Sequence, residues 1–448
     1  MNRREFLGAT IGGGALLAQV PPKRPNILFI LADDLGYGDL GCYGQERIKT
    51  PNIDRLAAEG VRFTQAYAGS TVCAPSRCCL MTGKQTGHAT VRGNKAPELG
   101  LRPDETTVAS LLKQAGYRTA LFGKWGLGGP ETGSVPNTRG FDEFFGYLNQ
   151  AHAHNSFPEH LWENQSEYLL RGNWFNQKKQ FAPDLFSART LSFIERQQRD
   201  PFFLYLAYTV PHADNELGLL QKNGIDAPDQ GMYVREDWPD VEKNFAAIIT
   251  RMDSDIGRIL QLLKRKGLDE NTLVIFSSDN GPHKEGGHDA GFFRSSGPLR
   301  GVKRDLYEGG IRVPAIARWT KTIAPGKVSE FPWAFWDFLA TAAELAGVRA
   351  PTGLDGISIV PALLGKEQRA HDYLYWEFFE RGFQQAVRQG DWKLVRQAPN
   401  FKLELFNLRD DVGETRDLAA TRADVAAQLR KLFESARAES KDFPTKPV

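Results

Sequence analysis

Two adjacent carboxylates, Asp33 and Asp34, directly follow the apolar run Ile27-Leu28-Phe29-Ile30-Leu31-Ala32. Asp279 and Asn280 follow a second such run, residues 273–278. Lys124 follows Thr119-Ala120-Leu121-Phe122-Gly123, and His212 follows residues 202–208 after Thr209-Val210-Pro211. Taken singly, each is equally a helix cap, a turn residue or a solvated charge. Together, at the exits of four strand-length runs, they mark where open parallel sheets bind ligands, beyond the carboxyl ends of the strands. The donor set points to a metal. Asp33, Asp34, Asp279 and Asn280 offer hard oxygen ligands, which suit Ca²⁺ or Mg²⁺ and not zinc. Three carboxylates packed together repel strongly without a cation.

A third constellation is Cys73-Ala74-Pro75-Ser76-Arg77-Cys78-Cys79, closed by Gly83. Pro75 suits the first turn of a helix and Gly83 its end. Cys73 then lies at the helix N-terminus, where amide donors and the dipole favour an anion, with Arg77 one turn further along. Two readings follow: a thiolate nucleophile activated by the dipole, or a structural thiol. Cys42, Cys78 and Cys79 read as structural thiols. Four cysteines in 448 residues do not make a disulfide scaffold.

The elements that must position these groups alternate. Strands are expected at 27–32, 119–122, 202–208 and 273–278. They lack polar alternation, as strands buried on both faces do. Helices are expected from Thr50-Pro51 to Gly60, and over 106–115, 184–198, 241–266 and 335–346, several of them stopped by glycine. Strands alternating with helices give an α/β fold with a mainly parallel sheet. From about residue 369 the pattern changes. Residues 373–379, 385–388, 392–396 and 403–406 are short aromatic and β-branched segments separated by turns, which predicts a small antiparallel sheet. A helix follows at 422–437. The expected division is 1–22, 23–368 and 369–448.

Composition narrows the function classes. The chain is 41% hydrophobic with a net charge of +2, from 56 Lys and Arg against 54 Asp and Glu. That balance offers no basic stripe for nucleic acid and argues against disorder. No run reaches the ~18 apolar residues of a membrane span. Residues 1–22 differ from the rest. Arg3-Arg4-Glu5-Phe6-Leu7, a weakly apolar stretch of small residues and Pro21-Pro22 read as an export signal of the twin-arginine kind. This predicts a periplasmic or secreted protein that folds before export.

Cys73-x-Pro75-Ser76-Arg77 resembles the signature of the formylglycine-dependent sulfatases. Gly116-Tyr117 through Gly123-Lys124-Trp125 is similar to that family's second signature. Asp33-Asp34, Asp279-Asn280-Gly281 and Lys303 with Tyr307-Glu308-Gly309-Gly310 match in family order. The resemblance implies an alkaline-phosphatase-like α/β domain with a small C-terminal sheet. It implies one Ca²⁺ held by Asp33, Asp34, Asp279, Asn280 and residue 73. Residue 73 would be a formylglycine made by a maturation enzyme. Its hydrate would attack sulfur through one hydroxyl and expel sulfate through the other, with Arg77 holding the diol. Lys124 and Lys303 would neutralise charge and His212 would protonate the leaving alcohol. The substrate class would be a sulfated small molecule or glycan. His152, His154, His283 and His288 lie in two loops rich in histidine, which read equally as ordinary loop packing or as a pocket that recognises its alcohol. One departure stands out: Gly126 occupies the place of a family histidine that contacts the diol, so either His152 or His154 substitutes or the elimination step needs no such base. The resemblance leaves open a phosphonate or phosphate ester hydrolase, or a sulfate- or glycan-binding homologue impaired in turnover.

Overall fold

The computed structural model describes residues 24–445, apart from 199, 399 and 401. The export segment expected at 1–22 lies outside the described residues. The large sheet is built from β1 (Asn26–Asp33), β2 (Val61–Tyr67), β3 (Arg118–Lys124), β4 (Glu143–Tyr147), β5 (His160–Glu163), β6 (Ser166–Leu169), β7 (Phe202–Pro211), β8 (Thr272–Ser278), β9 (Arg312–Trp319), β10 (Lys327–Ser329) and β11 (Trp333–Ala334). Their order is β10-β2-β9-β8-β1-β7-β3-β4-β5-β6, with β11 also pairing β2. The five central strands β8-β1-β7-β3-β4 run parallel, while β9 is antiparallel to both β8 and β2. The expected mainly parallel α/β sheet is therefore present. The outer strands, short or partly polar, carried no apolar run that would have announced them.

β1 shows why its sequence does not alternate. Ile27, Phe29 and Leu31 enter one core, where α2 (Cys73–Thr82), α3 (Val108–Gln114) and α6 (Asp337–Ala346) pack. Leu28, Ile30 and Ala32 enter the other, covered by α1 (Pro51–Ala58), α4 (Ala182–Glu195) and α5 (Asp240–Arg265). With successive side chains pointing to opposite faces, both sets must be apolar.

A second sheet of four antiparallel strands, β12 (Leu374–Phe378), β13 (Gln384–Gln389), β14 (Trp392–Arg396) and β15 (Leu403–Asn407), follows in that order. The single helix expected at 422–437 is two short ones, Ala423–Arg430 and Leu432–Ser435. Tyr375, Val387, Leu394 and Leu405 pack under these helices. Trp376, Phe378, Ala386, Val395 and Phe406 belong to the main core. Polar contacts reinforce the junction. Lys393 Nζ lies 2.9 Å from Glu308 and 2.9 Å from Glu414, all with fully buried side chains. Tyr67 Oη donates to Glu308 at 2.7 Å.

Candidate functional site

Register brings the predicted groups to one edge. Asp33 pairs with Pro211, Ala32 with Ser278, and Gly123 with Ala207. Asp33, Asp279, Lys124 and His212 therefore leave the sheet side by side. Gly123 permits this closeness: at φ +116°, a Cβ there would lie 1.8 Å from Ala207 O, so only glycine fits. Two loops complete the edge. Lys303 N donates to Pro282 O at 2.8 Å, Gly281 N to Gly310 O at 3.0 Å, and Arg304 N to Thr71 O at 3.1 Å. The segment after β8, the segment bearing Lys303 and the entry to α2 are thus strapped together.

At the centre, charges alternate without solvent. Asp33 Oδ2 accepts from Lys124 Nζ at 2.7 Å and lies 3.3 Å from Arg77 Nη2. Arg77 binds Asp279 Oδ2 through Nε at 3.1 Å and Nη2 at 2.7 Å, and spends Nη1 on Lys124 O at 2.8 Å. Asp34, at φ +69°, accepts from Lys303 Nζ at 2.8 Å and from Asn280 Nδ2 at 2.7 Å. All of these side chains are buried. Three carboxylates face three cations, and Lys303 Nζ also donates to Glu285 at 2.8 Å, which Arg304 pairs in turn, so the formal charges balance. Burial, with Asp33 and Asp34 nearby, pushes Asp279 up to about 7 even against Arg77. Burial acts on Asp33 in the same sense, but Lys124 and Arg77 hold it well below the carboxylate range.

Cys73 is the first residue of α2 and is buried, its Sγ 3.4 Å from Asp33 Oδ1. Burial and Asp33 push the thiol well above its usual range. That environment does not favour the activated-thiolate reading. The residue forms one wall of a 430 Å³ cavity with Asn94, Glu98, Gln150, His154, His212 and Lys303.

His212 Nδ1 lies 2.6 Å from Ala213 O and donates to it. Its Nε2 is therefore free of hydrogen and faces Lys303 Nζ at 3.1 Å and Asp34 at 3.5 Å. Burial, then Lys303, hold this imidazole well below its usual pKa. His154 stacks on it with ring centres 4.9 Å apart and pairs with Glu216 at 3.1 Å.

Three of the four histidines expected in the alcohol pocket lie elsewhere. His152 packs on Tyr147 and His160 and is not part of the cavity wall. His283 is buried behind His212, bonded to Pro211 O at 3.0 Å and Glu285 N at 3.0 Å. His288 stacks on Phe245 and bonds Glu242 at 2.7 Å. Histidine is half apolar, so in a loop covering the sheet edge it packs as readily as it lines a pocket. The cavity is instead lined by Asn94, Glu98, Asn149, Gln150 and Arg304. These scattered polar residues carried no motif, although Arg304 adjoins Lys303.

Asp33, Asp34, Cys73 and His212 bring ligand atoms within 4.8 Å of one another. Asp279 is turned to Arg77, and Asn280 Oδ1 is buried with no partner among the described residues. An orphaned buried carbonyl oxygen beside three carboxylates fits a hard cation.

The family model described as Sulfatase matches residues 25–348, and the one described as N-sulphoglucosamine sulphohydrolase, C-terminal, matches 302–439. The chain is 34% identical to N-acetylgalactosamine-6-sulfatase of Canis lupus familiaris over 82% of its own length and 71% of the relative's. It is 35% identical to arylsulfatase A of Homo sapiens, over 83% and 74%. The crystal structure of Ps i-CgsB in complex with k-i-k-neocarrahexaose superposes with TM-score 0.80 at 28% identity, covering 94% of each chain. The phosphonate monoester hydrolase of Agrobacterium radiobacter shares the fold, at TM-score 0.68, 20% identity and coverage of 95% and 100%.

Proposed function

Since the chain belongs to the sulfatase family and is a sulfuric ester hydrolase, we propose that it removes sulfate from a sulfated carbohydrate or related alcohol, using Ca²⁺ and a formylglycine made from Cys73. The observation that carries this reading is Cys73 at the wall of a polar cavity, backed by three carboxylates and three cations. A solved relative titled as a complex with a neocarrahexaose supports a carbohydrate substrate.

Asp33, Asp34, Asp279 and Asn280 would hold the cation, with residue 73 beside them. Ca²⁺ would supply Lewis-acid polarisation of a sulfate oxygen, and the hydrated aldehyde would supply a hydroxyl nucleophile. With a divalent ion the neutral cluster becomes a +2 site, matched to an anionic ester. Lys124 and Lys303 stabilise the charge that develops on sulfate. Arg77, with four of its five N–H donors directed at Asp279, Asp33 and Lys124 O, fixes the carboxylates that flank residue 73 and would steady the diol there. His212 Nε2, which carries no hydrogen in the resting site, would take up a proton beside the bound anionic ester and pass it to the departing alcohol, with Lys303 at 3.1 Å holding the ring in place. The Arg3-Arg4 segment supports twin-arginine export after maturation in the cytosol.

Screening defined sulfated monosaccharides against purified matured enzyme tests the reading. Turnover of a sulfated sugar is expected, and an aryl phosphonate ester turned over while every sulfate ester is refused would overturn it. Metal analysis should give about one equivalent of Ca²⁺, as for a single all-oxygen site. Stoichiometric zinc with neither Ca²⁺ nor Mg²⁺ would contradict the ligand assignment. His212→Ala should lower kcat on a sugar sulfate by about 10²- to 10⁴-fold, the range for a lost general acid. An aryl sulfate, whose phenolate leaves unaided, should lose far less. Equal losses on the two substrates would remove His212 from proton delivery.

A further inference from the structure

We propose that Gln150 takes the place that a side chain at position 126 would occupy, and that its amide holds the sulfate-bearing group at residue 73. The inference rests on the reading of this cavity as the sulfatase site. Gly126 lies just past β3 at φ +67°, with its N–H bonded to Leu148 O at 2.9 Å. A Cβ on Gly126 would lie 2.2 Å from Gln150 Nε2. The space beside Gly126 is therefore filled by the end of another side chain. Gln150 Nε2 donates to Gly126 O at 3.2 Å, and Gln150 N donates to the Glu98 carboxylate. Both ends of Gln150 are thus fixed. Gln150 and Glu98 share the cavity wall with Cys73, His212 and Lys303. Among the described residues the amide makes only the bond to Gly126 O. Its second N–H and its Oε1 remain for a ligand in the cavity.

The chemistry differs from that of an imidazole. A carboxamide donates to an anionic oxygen but takes up no proton at ordinary pH. This corner of the site therefore contributes orientation without a base. The two histidines expected to substitute are not available for the place: His152 lies outside the cavity wall, and His154 is stacked on His212 and paired with Glu216.

The test compares wild type with Gln150→Ala and Gln150→Met, the second equal in length but lacking the amide. Two readouts are used: kcat and KM on a sugar sulfate and an aryl sulfate, and the affinity for inorganic sulfate by calorimetry. Both variants should keep the wild-type melting temperature. Each should lose about 10- to 100-fold in kcat/KM on both substrates and a similar factor in sulfate affinity, as for a lost hydrogen bond to a charged group. A Gln150→Met variant within twofold of wild type in kcat/KM and in sulfate affinity would overturn the proposal. If wild type turned over no sulfate ester, the reading of the site would fail, while the calorimetric comparison would still decide the role of Gln150.

Discussion

Cys73→Ala should take sulfate-ester turnover down by at least about 10⁴-fold, in line with removal of a covalent nucleophile. Fold and Ca²⁺ affinity should stay near wild type, because Asp33, Asp34, Asp279 and Asn280 are untouched. Cys73 is 2% exposed and lines a cavity that already exists. Deleting one sulfur there opens no new void in the apolar core. The same experiment examines the chemical state of residue 73. A buried thiol pushed above its usual range by burial and Asp33 is a poor nucleophile. A single thiol also lacks the second hydroxyl through which sulfate would leave. In active enzyme made with its maturation partner, the peptide containing residue 73 should carry an aldehyde, react with hydrazide and resist thiol alkylation. Full activity in material whose residue 73 is wholly unmodified cysteine would rule the mechanism out.

Lys393→Met should destabilise the protein by about 3–5 kcal/mol, the cost of stripping one partner from a buried ion cluster. Lys393 Nζ is the cation shared by Glu308 and Glu414, 2.9 Å from each. Burial alone would raise Glu308, yet Lys393, Arg312 and Arg388 hold it at about 2. Without Lys393, two buried carboxylates face each other. Activity should fall as well, since Glu308 ends the segment that carries Lys303 to Asp34 and bonds Tyr67 on β2. Urea unfolding monitored by fluorescence measures the loss. Lys402→Ala serves as a control, because Lys402 pairs with Glu404 and Asp417 while 55% exposed, where ion pairs contribute little. A Lys393→Met variant with the control's midpoint would show that the cluster does not hold the two sheets together.

The centre of the site was legible in the sequence because it obeys a rule of topology. Residues at the exits of parallel strands converge, and the runs before Asp33, Lys124, His212 and Asp279 were readable as strands. The strands β2, β4, β5 and β6 were not, since polar residues interrupt β2 and the other three are only four or five residues long. The pocket wall was least legible. Gln150, Glu98 and Asn94 come from loops with no period and no motif, and meet only because β3 and β4 align Gly126 with Leu148. Histidine richness misled for the same reason. Residue type announces what a side chain is able to do, while His283 and His288 were placed by packing against Pro211 and Phe245.

All ten residues of α2, Cys73 to Thr82, are buried. A helix with no solvent face offers nothing for another protein to grip. An enzyme acting on residue 73 needs the surrounding segment extended, and in the folded chain that would expose Leu80 and Met81 from the core. On the proposed mechanism the conversion of Cys73 is therefore a race against folding. A chain that folds first would then keep an unconverted cysteine at position 73 for as long as it stays folded. On that proposal, the ratio of converted to unconverted chains in a preparation would record the relative speeds of conversion and folding.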